Sequence, residues 1–312
     1  MDNSFFINWR IALGAYDFDG NILAPNSWCY VIDMATGEEK RIVAHTLDQN
    51  PHLLGWPNPI YRIHDNPDHS FAHFRDFSNR VEHIWADHLI QDIRDAIEQW
   101  LFSPSFRSFK ETFLIRARFF GIITARGHSA ENLSRAMNII NEATLNEDEK
   151  LLQYQNIQNL WDLFWKKWIP RREEALDFYF QEIGMYYGVS SPHLCKLINI
   201  ETRARSSDKK TLAMSHLIQY TRKVISKIPE LQNKSLAIGF SDDSISNIES
   251  MTLYFMNERV KWISDQENWK EAMIWSSDKI RVYFTGNQDQ LCMIPGKGIS
   301  IEKEDNLTKI VI

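Results

Sequence analysis

At 312 residues, with 44% hydrophobic and 12% aromatic side chains, the chain can bury a sizeable core and hold one main domain with a substantial insertion. A net charge of −6 argues against broad nonspecific nucleic-acid binding, and no stretch approaches the ~20 apolar residues of a membrane span. The opening Met1-Asp2-Asn3-Ser4 has no basic, apolar secretory pattern, and Cys29, Cys195 and Cys292 make no zinc pattern, so reduced thiols and a cytoplasmic location are expected.

In chain order, the apolar run 11–16 predicts a strand that ends in Asp17-Phe18-Asp19-Gly20-Asn21. A hairpin follows, with arms 28–34 and 40–45 about a turn at 35–38. An irregular stretch rich in Pro, Asn, Asp and His covers 48–76, and helical periodicity runs over 79–101. A second apolar strand ends at Thr124 and leads through Ala125-Arg126-Gly127-His128 into a helix over 130–142. The segment 159–168 puts Trp161, Phe164, Trp165 and Trp168 on one helical face, a pattern expected for packing, with peripheral membrane contact through basic Lys166 and Lys167 as the alternative. Residues 172–187 are expected as a helix, 193–198 as a strand and 208–228 as a long helix that opens on Lys209-Lys210. A further strand, 236–241, ends in Asp242-Asp243-Ser244, another covers 279–285, and 291–295 with 299–312 form a C-terminal β pair turning at 304–306. Strands alternating with helices predict an α/β, Rossmann-like, mainly parallel sheet covered on both faces.

In such sheets ligands bind at the carboxyl ends of strands near the switch in strand order, where Asp17, Thr124 and Asp242 are expected. Side chains alternate along a strand, so Asp17 and Asp19 leave on the same side, and Gly20 lets the chain turn without a Cβ in the way. Four carboxylates gathered at one sheet edge repel by roughly 4 kcal/mol per pair at ~4 Å and an effective dielectric near 20. A hard divalent cation relieves that repulsion.

The order of these segments resembles the haloacid dehalogenase-like superfamily of phosphohydrolases, whose motifs are D-x-D-G, a strand-terminal Thr or Ser, a Lys and a terminal acidic pair. The resemblance implies that Asp17 is a nucleophile forming an aspartyl phosphate and that Asp19 is the general acid and then base. It implies phosphate contacts from Thr124, Ala125 and Lys209 or Lys210, and Mg2+ held by Asp17, Asp19, Asp242 and Asp243. Asn21 stands where that family usually has Thr, and Asn21, Arg126 and His128 are expected as further substrate contacts. The 107 positions between Asp17 and Thr124 far exceed the ~30 residues of a minimal βαβ unit, so an insertion lies there, where the family places a cap. The expected organisation is a core of 1–20 and 108–286 with a helical insertion at about 146–170, a cap over 21–107, and a β extension over 287–312.

Other chemistry is poorly supported. A cysteine phosphatase needs Arg six positions after Cys, and Ala35, Glu201 and Gly298 stand there. Pro295-Gly296-Lys297-Gly298 lacks the upstream glycine and following hydroxyl of a P-loop, and Glu131 stands where a nucleophile elbow needs its second glycine. His69 and His73 have i, i+4 spacing without a further zinc ligand. The expected partner is a phosphorylated substrate. A nucleic-acid end phosphatase, a phosphotransferase and a catalytically silent scaffold on the same fold are the alternatives.

Overall fold

Ile11, Ala12, Leu13 and Ala15 are at most 1% exposed, so the strand that carries them is apolar on both faces and belongs at the centre of a covered sheet. The computed structural model describes residues 6–7, 10–55, 57–76, 88–165, 171–264, 279–285, 300–304 and 307–311. Its strands are β1 (Phe6–Ile7), β2 (Arg10–Tyr16), β3 (Trp28–Asp33), β4 (Glu39–Val43), β5 (Tyr61–Ile63), β6 (Phe119–Thr124), β7 (Gly184–Gly188), β8 (Leu236–Asp242), β9 (Lys279–Phe284), β10 (Ser300–Glu304) and β11 (Leu307–Val311). The main sheet runs β10-β11-β9-β8-β2-β6-β7, with β1 paired to the start of β2. Strands β9, β8, β2, β6 and β7 are mutually parallel, and β11 and β10 continue the sheet antiparallel beyond β9. The order reverses between β2 and β8, so the crevice for a ligand lies at the carboxyl ends of those two strands.

The helices are α1 (Ala44–Gln49), α2 (Pro67–Ser70), α3 (His88–Glu98), α4 (Phe106–Phe109), α5 (Ala130–Thr144), α6 (Glu147–Trp165), α7 (Arg172–Phe178), α8 (Pro192–Leu197), α9 (Ser206–Ile225) and α10 (Ile245–Ser264). Neighbouring residues of β6 show both faces of the sheet covered. The Phe120 ring meets Phe109, Tyr179 and Phe180. On the other face, a Cβ at Gly121 would lie 2.6 Å from Leu217 of α9, so the missing side chain lets α9 settle against the strand.

The predicted hairpin forms: β3 and β4 pair antiparallel from Trp28↔Val43 to Ile32↔Glu39, and β5 adds to the other edge of β3. This three-stranded sheet has a small core of its own, Cys29, Val31 and Leu47, onto which Phe71 and Phe74 pack.

Two expectations are corrected. The segment 193–198 is no strand, because Ser191-Pro192 starts a helix there, with proline at a helical position that needs no amide donor. The third parallel strand is instead β7, which the helical expectation for 172–187 had absorbed. Helix α7 continues only through a π-turn, Tyr179–Ile183, and Gly184 then takes an extended backbone and pairs with Phe120.

Of the helix expected over 79–101, α3 is the described part, and residues 79–87 lie outside the described residues. Trp161 and Phe164 pack edge-on against Phe178, which gives the aromatic stripe a core partner. Residues 166–170, with Lys166, Lys167 and Trp168, lie outside the described residues, as do Cys292 and 291–295. Cys29 and Cys195 are buried. Among the described residues no helix is long and apolar enough to cross a membrane.

Candidate active site

The carboxyl ends of β2 and β8 are locked side by side, with Tyr16 opposite Ser241 and the Asp17 amide donating to the Ser241 carbonyl at 2.9 Å. This delivers Asp17 and Asp242 to one point. Lys210, one turn into α9, reaches between them: its Nζ lies 2.7 Å from Asp17 Oδ2 and 2.8 Å from Asp242 Oδ2. All three are buried, Lys210 to 1% and Asp242 to 0% exposure. Lys209, the neighbouring candidate, is not in this cluster, since its ammonium donates to the Thr202 carbonyl.

Asp242 is held on every side. Its Oδ1 accepts from the Ser244 amide at 2.8 Å and from Asn247 Nδ2 at 3.0 Å, and its Oδ2 accepts from Asn247 at 3.1 Å besides Lys210. Asp243 stands less enclosed beside it. One oxygen from each of Asp17, Asp242 and Asp243 lies within 4.8 Å of the others, a spacing and donor set that suit a hard divalent cation. Gly20 makes room for the third acid: it sits at φ +70°, and a Cβ there would lie 2.1 Å from Asp243 Oδ2.

Three carboxylates against one ammonium leave the cluster with excess negative charge, and the titration directions express it. Burial raises the Asp17 carboxyl well above its ordinary range, with Asp242 and Asp243 adding to the rise and Lys210 opposing it. Burial, then the Asp242 charge, raise Asp243 to about 7. For Lys210 burial works against the ammonium, yet Asp17 and Asp242 outweigh it and the net shift is upward. A cation at this point would be met by a site already short of positive charge.

Thr124 is fully buried at the end of β6, two positions beyond the Tyr16↔Ile122 pair and thus level with the residue after Asp17. Its Oγ1 accepts from the Arg126 amide at 3.2 Å, and Ala125 beside it is exposed.

Asp19 is engaged elsewhere. Arg126 Nε donates to both of its oxygens, at 3.1 and 2.9 Å, and Nη2 donates to Oδ1 at 2.7 Å. The carboxylate is therefore outside the trio that fits a cation, and Arg126, at 0% exposure, is an interior group. Asn21 is equally buried, donating to Ser241 and Thr285 hydroxyls at 3.0 Å each. His128 is 3% exposed and its Nδ1 makes no hydrogen bond among the described residues; burial first, then Arg126, Arg75 and His88, lower its pKa to about 2.

Sequence reasoning missed Asn247, Ser27 and Asp92. Asp92 carried a usable signal, because it falls among Leu89, Ile90, Ile93 and Ala96 on the buried face of α3, where an acid needs a partner. That partner is Ser27 Oγ, at 2.5 Å from Asp92 Oδ2.

No family model, curated protein or solved structure matches the chain.

Proposed function

We propose that the chain is a magnesium-dependent phosphohydrolase of the haloacid dehalogenase-like type, acting on a phosphate monoester through an aspartyl phosphate. The observation that carries it is the Asp17–Lys210–Asp242 bridge, with Asp243 at ligand distance, at the switch point of a parallel sheet. Each residue type answers a need of phosphoryl transfer, where positioning and charge neutralisation do most of the work.

In the first half-reaction an Asp17 oxygen bonds to phosphorus, the bond from phosphorus to the leaving oxygen breaks, and Asp19 gives that oxygen a proton. In the second, Asp19 takes a proton from water as the water oxygen bonds to phosphorus. The bond to Asp17 then breaks and inorganic phosphate leaves. Lys210 supplies positive charge to the phosphoryl oxygens, and the Thr124 hydroxyl stands at the next strand end to orient them. Asp17, Asp242 and Asp243 would hold Mg2+, which when bound offsets the charge of the carboxylates and the phosphoryl group.

The antiparallel sheet β4-β3-β5 is the element we assign to substrate selection. It follows the Asp17–Asn21 turn in the chain, and its neighbourhood touches the loop after β6, where the Gly127 amide donates to the Phe74 carbonyl at 2.7 Å. In the test, Asp17→Asn is compared with the wild type on an aryl phosphate, with and without magnesium. The wild type should turn over only with the metal and the variant not at all. Equal activity of the two proteins would refute the nucleophile.

A further inference from the structure

Arg126 is a buried cation that the chemistry above leaves without a task. Its guanidinium is buried and donates to Asp19 and Ser27, whereas the Asp19 side chain it grips is 34% exposed. The guanidinium thus holds the carboxylate while leaving part of it open to solvent. The fork is itself held. Nη2 also donates to Ser27 Oγ at 2.6 Å, Ser27 in turn donates to Asp92 Oδ2 at 2.5 Å, and the Phe74 ring lies 4.6 Å from the guanidinium carbon. Ser27, Phe74 and Asp92 all come from the segment between β2 and β6, so this chain of contacts runs from that insertion to Asp19.

A free aspartate at a strand end has two side-chain torsions to settle. A two-point guanidinium contact fixes both, because the fork is planar and rigid where an ammonium is a point charge. Position matters for proton transfer, since a misplacement of about 1 Å can cost on the order of a hundredfold in rate. Resting on the phosphohydrolase reading, we propose that Arg126 is a positioning residue for Asp19: its fork sets the orientation of the acid and base carboxylate, and Ser27 with Asp92 set the fork.

The test compares kcat/KM for an alkyl phosphate, whose leaving oxygen needs a proton, with kcat/KM for a nitrophenyl phosphate, whose leaving oxygen does not. Both constants report the first half-reaction, so the later need for a base does not enter. Arg126→Lys keeps the charge and loses the fork, and should lower the alkyl-to-aryl ratio by about tenfold or more. Ser27→Ala removes one support of the fork and should lower the ratio by about threefold. In an Asp19→Asn background Arg126→Lys should lower it no further, because Arg126 acts through Asp19.

A role confined to holding the insertion on the core would lower both rates together and leave the ratio unchanged, and that result overturns the proposal. Should circular dichroism show Arg126→Lys unfolded, Ser27→Ala decides by the same ratio. A wild-type protein that, with magnesium, hydrolyses neither ester refutes the phosphohydrolase reading and this proposal with it. An active wild type with an unmoved ratio refutes Arg126 alone.

Discussion

Replacing Lys210 by Met keeps most of the side-chain volume and removes the charge that bridges Asp17 and Asp242. Both carboxylates stay buried, at 6% and 0% exposure, and neither can move far, Asp242 being tied to Ser244 and Asn247. Breaking a buried pair by deleting one partner costs about 3–5 kcal/mol, because the remaining charge is uncompensated. For a chain of this size each kcal/mol moves the melting temperature by roughly 2–3 °C, so Lys210→Met should melt about 6–15 °C lower. Lys209→Met is the control: it loses a single bond to the Thr202 carbonyl and should cost only about 1.5 kcal/mol. Magnesium adds a second axis. At a hundred times its dissociation constant it should stabilise the wild type by about 2.7 kcal/mol. It should stabilise Lys210→Met by at least as much, since the ammonium that offsets the carboxylates is gone. The assay is thermal unfolding of the three proteins with and without magnesium. Equal losses in the two lysine variants, or a Lys210→Met protein that melts with the wild type, would refute the charge balance drawn for the site.

Gly20→Ala and Gly37→Ala separate backbone from site, since both glycines have positive φ but only Gly20 faces Asp243, Gly37 having open space where a Cβ would stand. Each should lose about 1–2 kcal/mol for the left-handed backbone, and only Gly20→Ala should also shrink the magnesium-induced rise in melting temperature. Acid stability should depend on His128, whose folded pKa of about 2 lies far below its unfolded value near 6.5, so its contribution is complete above pH 6.5 and is lost as pH falls. At about pH 5 that loss is about 2 kcal/mol, and denaturant midpoints of His128→Gln at pH 7 and 5 should show a correspondingly smaller drop than the wild type. Asp19→Asn should accumulate phosphate on Asp17 with an aryl substrate, because breakdown of the intermediate needs the base. Rapid-quench peptide mass analysis that finds label on Ser, Thr or His would contradict the roles given to both acids.

The acids at strand ends were legible because each apolar run stops abruptly: 11–16 at Asp17, 236–240 at Ser241-Asp242. Strand β7 was hidden for the opposite reason. The helical pattern of α7 continues through the exposed Gln181 and Glu182 into Gly184-Met185-Tyr186-Tyr187 with no proline to end it, and the turn is made by backbone geometry. Lys209 and Lys210 were equivalent in sequence since apolar residues stand behind both, and only their partners in the fold tell them apart, Lys210 bridging Asp17 and Asp242 and Lys209 turning to the Thr202 carbonyl. The grip of Arg126 on Asp19 joins residues 107 positions apart, and no local pattern records a contact of that kind.

The reversal of strand order between β2 and β8 also governs when the site can exist during synthesis. Asn21 bonds to Ser241 and Thr285, 220 and 264 positions later in the chain, so the neighbourhood of Asp17 is sealed by the last third of the polypeptide. A ribosome that has released β2, β6 and β7 has made half a sheet, with one edge of its central strand still unpaired and Asp17 without its lysine or its neighbouring acids. Closing a loop of that length is slow, which puts assembly of the carboxylate cluster late in folding. The carboxylate cluster stays incomplete until β8 docks, and the interval before docking is when β2 is most exposed to pairing with another chain.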